Sequence, residues 1–225
     1  VFHEITSKQH VTRKKIINNL QLRPTSVSNA LNELFEDKLI MEEKREQSGQ
    51  RQGRPENCLY PRKNRFVAVS ICFESRTLVA KLVNPFEEVI TQMRVEISHE
   101  DDNTAFKNKF TTIIHQILDF VPPQSAFVGI GISLIGFIDF EEDSWVFTAR
   151  WPLIRNLKFS ELSASFHTPI FIKRALDCEL EYLIESSPGY QNKDMLLIHW
   201  GYGIGASFAE QGRVIKTNIG GFCEF

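Results

Sequence analysis

Ser26, Ser28, Asn29 and Asn32, with Thr25 just ahead of them, are short side chains that donate and accept hydrogen bonds and carry no charge. Side chains of this kind near the N-terminal end of a helix can meet base edges or phosphate oxygens in a DNA major groove. Further along, Arg51 and Arg54 lie in a polar, Gly-containing stretch. A guanidinium there can reach a phosphate or enter a narrow minor groove. A third candidate is Gly201-Tyr202-Gly203-Ile204-Gly205, directly after the apolar run Met195 to Trp200. Glycines in that position let backbone N–H groups approach a phosphate or a sugar oxygen, and they serve equally to make a tight turn.

The elements that must position these groups follow from the spacing of apolar residues. Thr12 predicts the cap of a helix through Leu20, with Ile16, Ile17 and Leu20 on one face. After a short break, Pro24 suits a helix start, and Thr25 is a candidate cap. The second helix is expected to run to about Lys38, with Val27, Ala30, Leu31, Leu34 and Phe35 forming its inward stripe. Two short helices joined by a tight turn form the helix-turn-helix pattern, and they also describe an ordinary helical hairpin. From Leu39 the chain becomes extended, with two strand-like arms around the polar tip that holds Arg51 and Arg54. That is the pattern of a β-hairpin wing, or of a basic linker.

From Phe66 the pattern changes to short alternating runs, read as β-strands with turns near Glu74-Ser75-Arg76 and Asn84-Pro85. A helix is expected over Thr104 to Phe120, ended by Pro122-Pro123, and shorter helices over Phe159 to Phe166 and Ala175 to Glu185. Ala126 to Ser133 and Met195 to Trp200 have the composition of buried strands, and a further hairpin turns at Gln211-Gly212-Arg213. Strands and helices alternating after a hairpin sheet predict an α/β domain. The expected domains are therefore 1–65 and 66–225.

Net charge is −2 over 225 residues, but it is unevenly spread. Residues 1–65 hold 13 Lys and Arg against 8 Asp and Glu, and the remainder holds 13 against 20. A basic head on an acidic body suits a head that meets a polyanion. Glu42, Glu43 and Glu46 at the start of the wing run against that trend. Cys58, Cys72, Cys178 and Cys223 stand alone, with no C-x-x-C pair, so neither a zinc site nor a disulfide ladder is expected within the chain. Single cysteines fit a reducing cytoplasm, and no apolar run approaches the roughly 20 residues of a membrane span.

The stretch from Val11 to Ile40, followed by Gly53-Arg54-Pro55, resembles the winged helix-turn-helix of ROK repressors (repressor, open reading frame, kinase). The later segments resemble the first part of the actin-like, sugar-kinase-type ROK domain. Ile135-Gly136-Phe137-Ile138-Asp139 is similar to the family's Pro-Gly-x-x-Asp turn, and Gly201 to Gly205 to its Gly-Thr-Gly-Ile-Gly, with Tyr202 in place of Thr. Gly220 to Phe225 approaches a Gly-Glu-x-Gly-His element, which makes Glu224 the match of a family sugar ligand. The resemblance is to the front half of the repressor branch, of the N-acetylglucosamine type.

That resemblance implies a transcriptional repressor of carbohydrate-related genes, bound to a double-stranded DNA operator as a homodimer or tetramer. It implies release by a sugar or sugar-phosphate effector, or by a regulatory protein, with Gly136, Arg174, Gly203 and Glu224 as effector contacts. It implies no cofactor within the chain, and a zinc-binding Cys/His cluster beyond Phe225. The alternative is a sugar kinase with an appended helix-turn-helix head. Against it, the family's glycine-rich first phosphate loop is matched by Ser70 to Arg76, which has no glycine and an acidic Glu74. The family's Glu-Asn-Asp element, which carries the catalytic base, is matched by Lys173, Arg174 and Ala175, and alanine cannot take a proton. The sugar-binding Asn-x-x-Gly-Trp segment is matched by Arg150 to Ile154 without its defining residues. Arg174 in place of the family's Asn favours an anionic or phosphorylated sugar, or else makes a surface salt bridge to a nearby carboxylate.

Overall fold

The computed structural model describes residues 1–8, 11–44, 57–201 and 203–216. The chain divides into two compact units, Val1–Phe66 and Val67–Phe225.

In the first unit, α1 (Phe2–Ser7) precedes α2 (Arg13–Leu20) and α3 (Pro24–Glu36). β1 (Ile40–Lys44) then pairs antiparallel with β2 (Asn57–Pro61), Ile40 opposite Pro61 and Lys44 opposite Asn57. Val11 bridges to Leu59 and adds a further rung to this ribbon. The ribbon and helices close on a core of Ile5, Val11, Ile16, Val27, Leu31, Ile40 and Leu59.

Local chemistry explains the helix ends. Thr12 Oγ1 accepts from the Lys15 N–H at 3.3 Å and caps α2, and Gln21, left-handed at φ 52°, ends it. Pro24 occupies the first turn of α3, behind Arg23 as the capping position, with no side-chain cap bond. Thr25 therefore lies inside the helix and does not cap it. At the other end Lys38 is left-handed at φ 57°. Its N–H donates to Phe35 O and that of Leu39 to Leu34 O, which is a Schellman closure two residues short of the expected helix end.

The second unit opens on an antiparallel meander of β3 (Phe66–Glu74), β4 (Thr77–Val83) and β5 (Val89–Glu96). Next comes α4 (Asn103–Leu118), capped by Asp102, whose carboxylate accepts from Ala105 N at 2.8 Å. β6 (Ala126–Leu134) is followed by a small antiparallel sheet of β7 (Phe137–Asp139), β8 (Ser144–Phe147) and β9 (Arg155–Lys158). α5 (Phe159–Phe166), β10 (Ile170–Arg174) and α6 (Ala175–Ser186) follow. β10 lies parallel to β6, and the main sheet has the order β10-β6-β3-β4-β5. Its core joins Val67, Val69 and Ile71 to the α4 stripe Phe106, Phe110, Ile114 and Ile117, and to the buried Trp145 and Trp151.

A separate three-stranded antiparallel sheet holds β11 (Met195–Trp200), β12 (Ile204–Glu210) and β13 (Arg213–Val214). Gln211 and Gly212, at φ 49° and 75°, make its last turn, where the sequence places one. α6 packs on one face, bringing Leu180 and Ile184 onto Met195, Leu197 and Ala209. The other face of β11 departs from the expected buried strand. Leu196, Ile198 and Trp200 are exposed, Trp200 at 84%. Among the described residues, no helix is long and apolar enough to cross a membrane.

Candidate functional site

α3 is anchored by Val27 and Leu31, both within 1% of full burial. That fixes which face it turns outward. Thr25, Ser26, Asn29 and Asn32 are exposed there and Ser28 is half-buried. The periodicity of the inward stripe thus determines the polar face, and the spacing of Thr25, Asn29 and Asn32 lines them along it. Around α3, Lys14, Lys15 and Arg23 are exposed. Arg13 is partly occupied: its guanidinium stands 3.4 Å from Glu42 and 5.9 Å above the Phe35 ring. Arg51, Arg54 and the Gly53-Arg54-Pro55 element lie outside the described residues, as does Glu46.

The four expected effector contacts are placed unequally. Glu224 lies outside the described residues. Gly136 sits at φ +91°, and a Cβ there would stand 2.4 Å from Phe147 O. Its glycine character is thus required by the protein's own β8 backbone. Gly203 is exposed at the turn between β11 and β12, and its carbonyl accepts the Gly201 N–H at 3.0 Å.

Arg174 is only 2% exposed. Its Nε and Nη2 donate to Asp177 Oδ1 at 3.1 and 2.5 Å. The expected salt bridge therefore exists, buried and not on the surface. Asp177, in the first turn of α6, is its partner. The same oxygen accepts from Ser207 Oγ at 2.6 Å. A carboxylate three residues after Arg174, in the first turn of the following helix, was the available signal. Ser207 had none.

The stretch matched to a phosphate loop is a tight hairpin, Glu74 pairing with Thr77 across Ser75 and Arg76. Glu74 pairs with Arg94 at 2.8 Å, and Arg150 Nη1 donates to the Ser75 carbonyl at 2.6 Å. Phe73 just before the turn packs on Trp151 and Trp145, centroids 5.1 and 5.4 Å apart. Trp151 donates from Nε1 to Ile97 O at 3.0 Å inside the core. The segment Arg150 to Ile154 therefore supplies a core anchor.

Solved structures share this fold. A ROK family transcriptional regulator, homologue of the Escherichia coli Mlc protein, superposes with a TM-score of 0.63 at 22% identity, over 99% of this chain and 56% of that one. The chain has the fold of the ROK proteins. A ROK family glucokinase from Streptomyces griseus, solved with glucose and AMPPNP, gives 0.54 at 13% identity, over 71% of this chain and 49% of that one. A ROK family protein from Streptococcus pneumoniae, solved with sucrose, gives 0.53 at 16%, over 71% and 51%. The chain thus spans about half the length of the ROK structures it matches. No family model matches, and no curated protein matches.

Proposed function

We propose that the chain is the front part of a ROK-family transcriptional regulator, a repressor that binds an operator in double-stranded DNA. Val1–Phe66 is read as a winged helix-turn-helix, with α3 in the major groove and the β1–β2 ribbon as the wing. The observation that carries this reading is the outer face of α3. Its uncharged hydrogen-bonding row is held outward by a rigid apolar stripe, in a unit with a basic excess. The Mlc homologue supports it, since its match extends over 99% of the chain while those to the glucokinase and the sucrose complex cover 71%. Thr25, Ser26, Ser28, Asn29 and Asn32 are assigned to base and phosphate contacts, and Arg51 and Arg54 to the backbone or minor groove.

The same reading makes the protein a regulator of carbohydrate-related genes that acts as a dimer or tetramer and is not a kinase. Ala175 at the position matched to the base, and a glycine-free hairpin whose Glu74 is held by Arg94, favour that choice. The decisive experiment is fluorescence anisotropy of the protein on its own upstream DNA and on a scrambled duplex, across a salt series. Specific binding that weakens steeply with salt is expected. Equal affinity for both duplexes, or ATP-dependent phosphorylation of a sugar, would overturn the reading.

A further inference from the structure

Arg174 closes β10, Asp177 lies in the first turn of α6, and Ser207 lies in the middle of β12. Their exposures are 2%, 5% and 0%. One oxygen, Asp177 Oδ1, accepts from Arg174 Nε, Arg174 Nη2 and Ser207 Oγ at 3.1, 2.5 and 2.6 Å. A single buried carboxylate thus joins three elements. β10 is the edge of the five-stranded sheet, and β12 is the central strand of the three-stranded one. α6 runs between them.

The two sheets are held very differently. The five-stranded sheet has the large aromatic core of Phe106, Phe110, Trp145 and Trp151. The three-stranded sheet has a small one, Leu180, Ile184 and Ala209 with a few half-buried neighbours. Apolar contact of that size is non-directional and fixes orientation poorly. Charge-assisted hydrogen bonds are directional, and breaking a buried ion pair is costly.

We propose that Arg174, Asp177 and Ser207 form a clasp that locks α6 and the β11–β12–β13 sheet onto the end of β10. These elements then open against the five-stranded sheet as one body, and only when the clasp breaks. The proposal goes beyond DNA binding and holds or fails independently of it.

Hydrogen exchange followed by mass spectrometry tests it on the whole protein without DNA. Ser207→Ala removes one hydroxyl from the clasp, and Asp177→Asn removes the charge. Both are expected to raise exchange in α6 and in Met195 to Val214 by about tenfold or more, the weight of one charge-assisted bond, with Asp177→Asn the larger. β4, β5 and α4 should keep wild-type protection. An equal rise in every segment would mean that the group only adds general stability, and no rise would mean that it holds nothing. Either result overturns the proposal. Should Asp177→Asn fail to fold, Ser207→Ala decides alone.

Discussion

Gly136 lies so close to Phe147 that a Cβ on it would stand 2.4 Å from the Phe147 carbonyl oxygen and 2.9 Å from Thr148 Cβ. The backbone at Gly136, φ +91°, is also one that L side chains rarely adopt. Gly136→Ala combines both penalties and should destabilise the protein by roughly 2–4 kcal/mol. Urea denaturation measures this directly. A loss below about 0.5 kcal/mol would show that β7 and β8 can slide apart at little cost, and would return Gly136 to the candidates for ligand contact alone.

Asn29→Ala and Asn32→Ala separate DNA contact from folding. Both side chains are exposed on α3, so stability should change by less than about 0.5 kcal/mol. If they meet base edges, each variant should lose about 1–3 kcal/mol of operator affinity, with little change on scrambled DNA. Anisotropy titrations at fixed salt give both numbers. Unchanged operator affinity in both would place the reading face elsewhere.

Much of this head was legible because its signals are local. The apolar stripe of α3 repeats at helical spacing, and one polar row is left over on the outside. The Thr12 cap follows from a hydroxyl just ahead of the helix. α1 is not legible in the sequence, because Phe2–Ser7 offers a single buried residue, Ile5, and no period can be read from one position. Thr25 does not cap, against the expectation, because Pro24 already fits the first turn, which shifts the capping position back to Arg23. In the second unit, the Arg174–Asp177 half of the clasp lay within three residues, whereas Ser207 is brought there only by the packing of β12 on α6. β11 reads as buried because Met195 to Ile198 are all apolar, and sequence does not say whether α6 covers one face or two elements cover both.

Thr12→Ala tests the cap itself. Thr12 is 6% exposed, and its hydroxyl holds the Lys15 N–H. Losing a capping hydroxyl costs about 0.5–2 kcal/mol. Thr12→Ser keeps the hydroxyl and should recover most of that. Urea midpoints for the two variants decide it, and equal losses in both would point to the methyl group's packing in place of the cap.

Burial pushes the thiols of Cys72 and Cys178 above the ordinary cysteine value, with the neighbouring Lys81 and Lys173 only partly opposing it. Less thiolate is then present at mildly alkaline pH. Both cysteines should be alkylated by iodoacetamide several-fold more slowly than glutathione at about pH 8, as followed by intact mass. The folded state holds these protons to higher pH than the unfolded chain does, so the contribution is intact below the unfolded thiol pKa and is lost as pH rises from there through the raised folded pKa. Alkylation as fast as glutathione would mean that these sites open readily to solvent.

Trp200 is 84% exposed, while Trp145 and Trp151 are each fully buried. The chain has three tryptophans, so the exposed one is separable by a single substitution. Acrylamide should quench one component of the fluorescence strongly and the rest weakly. Trp200→Phe should remove the quenched, red-shifted component and leave the blue-shifted emission of the core pair. Stability should be nearly unchanged, since a side chain in water has little burial to lose. The opposite outcome is equally specific. If Trp200 proves protected from acrylamide in the wild type, then another polypeptide surface covers the row Leu196, Ile198 and Trp200, because α6 occupies only the other face of β11. Repeating the quenching across a dilution series then tells whether that surface belongs to a second copy, whose cover is lost on dilution, or to the same chain, whose cover is not.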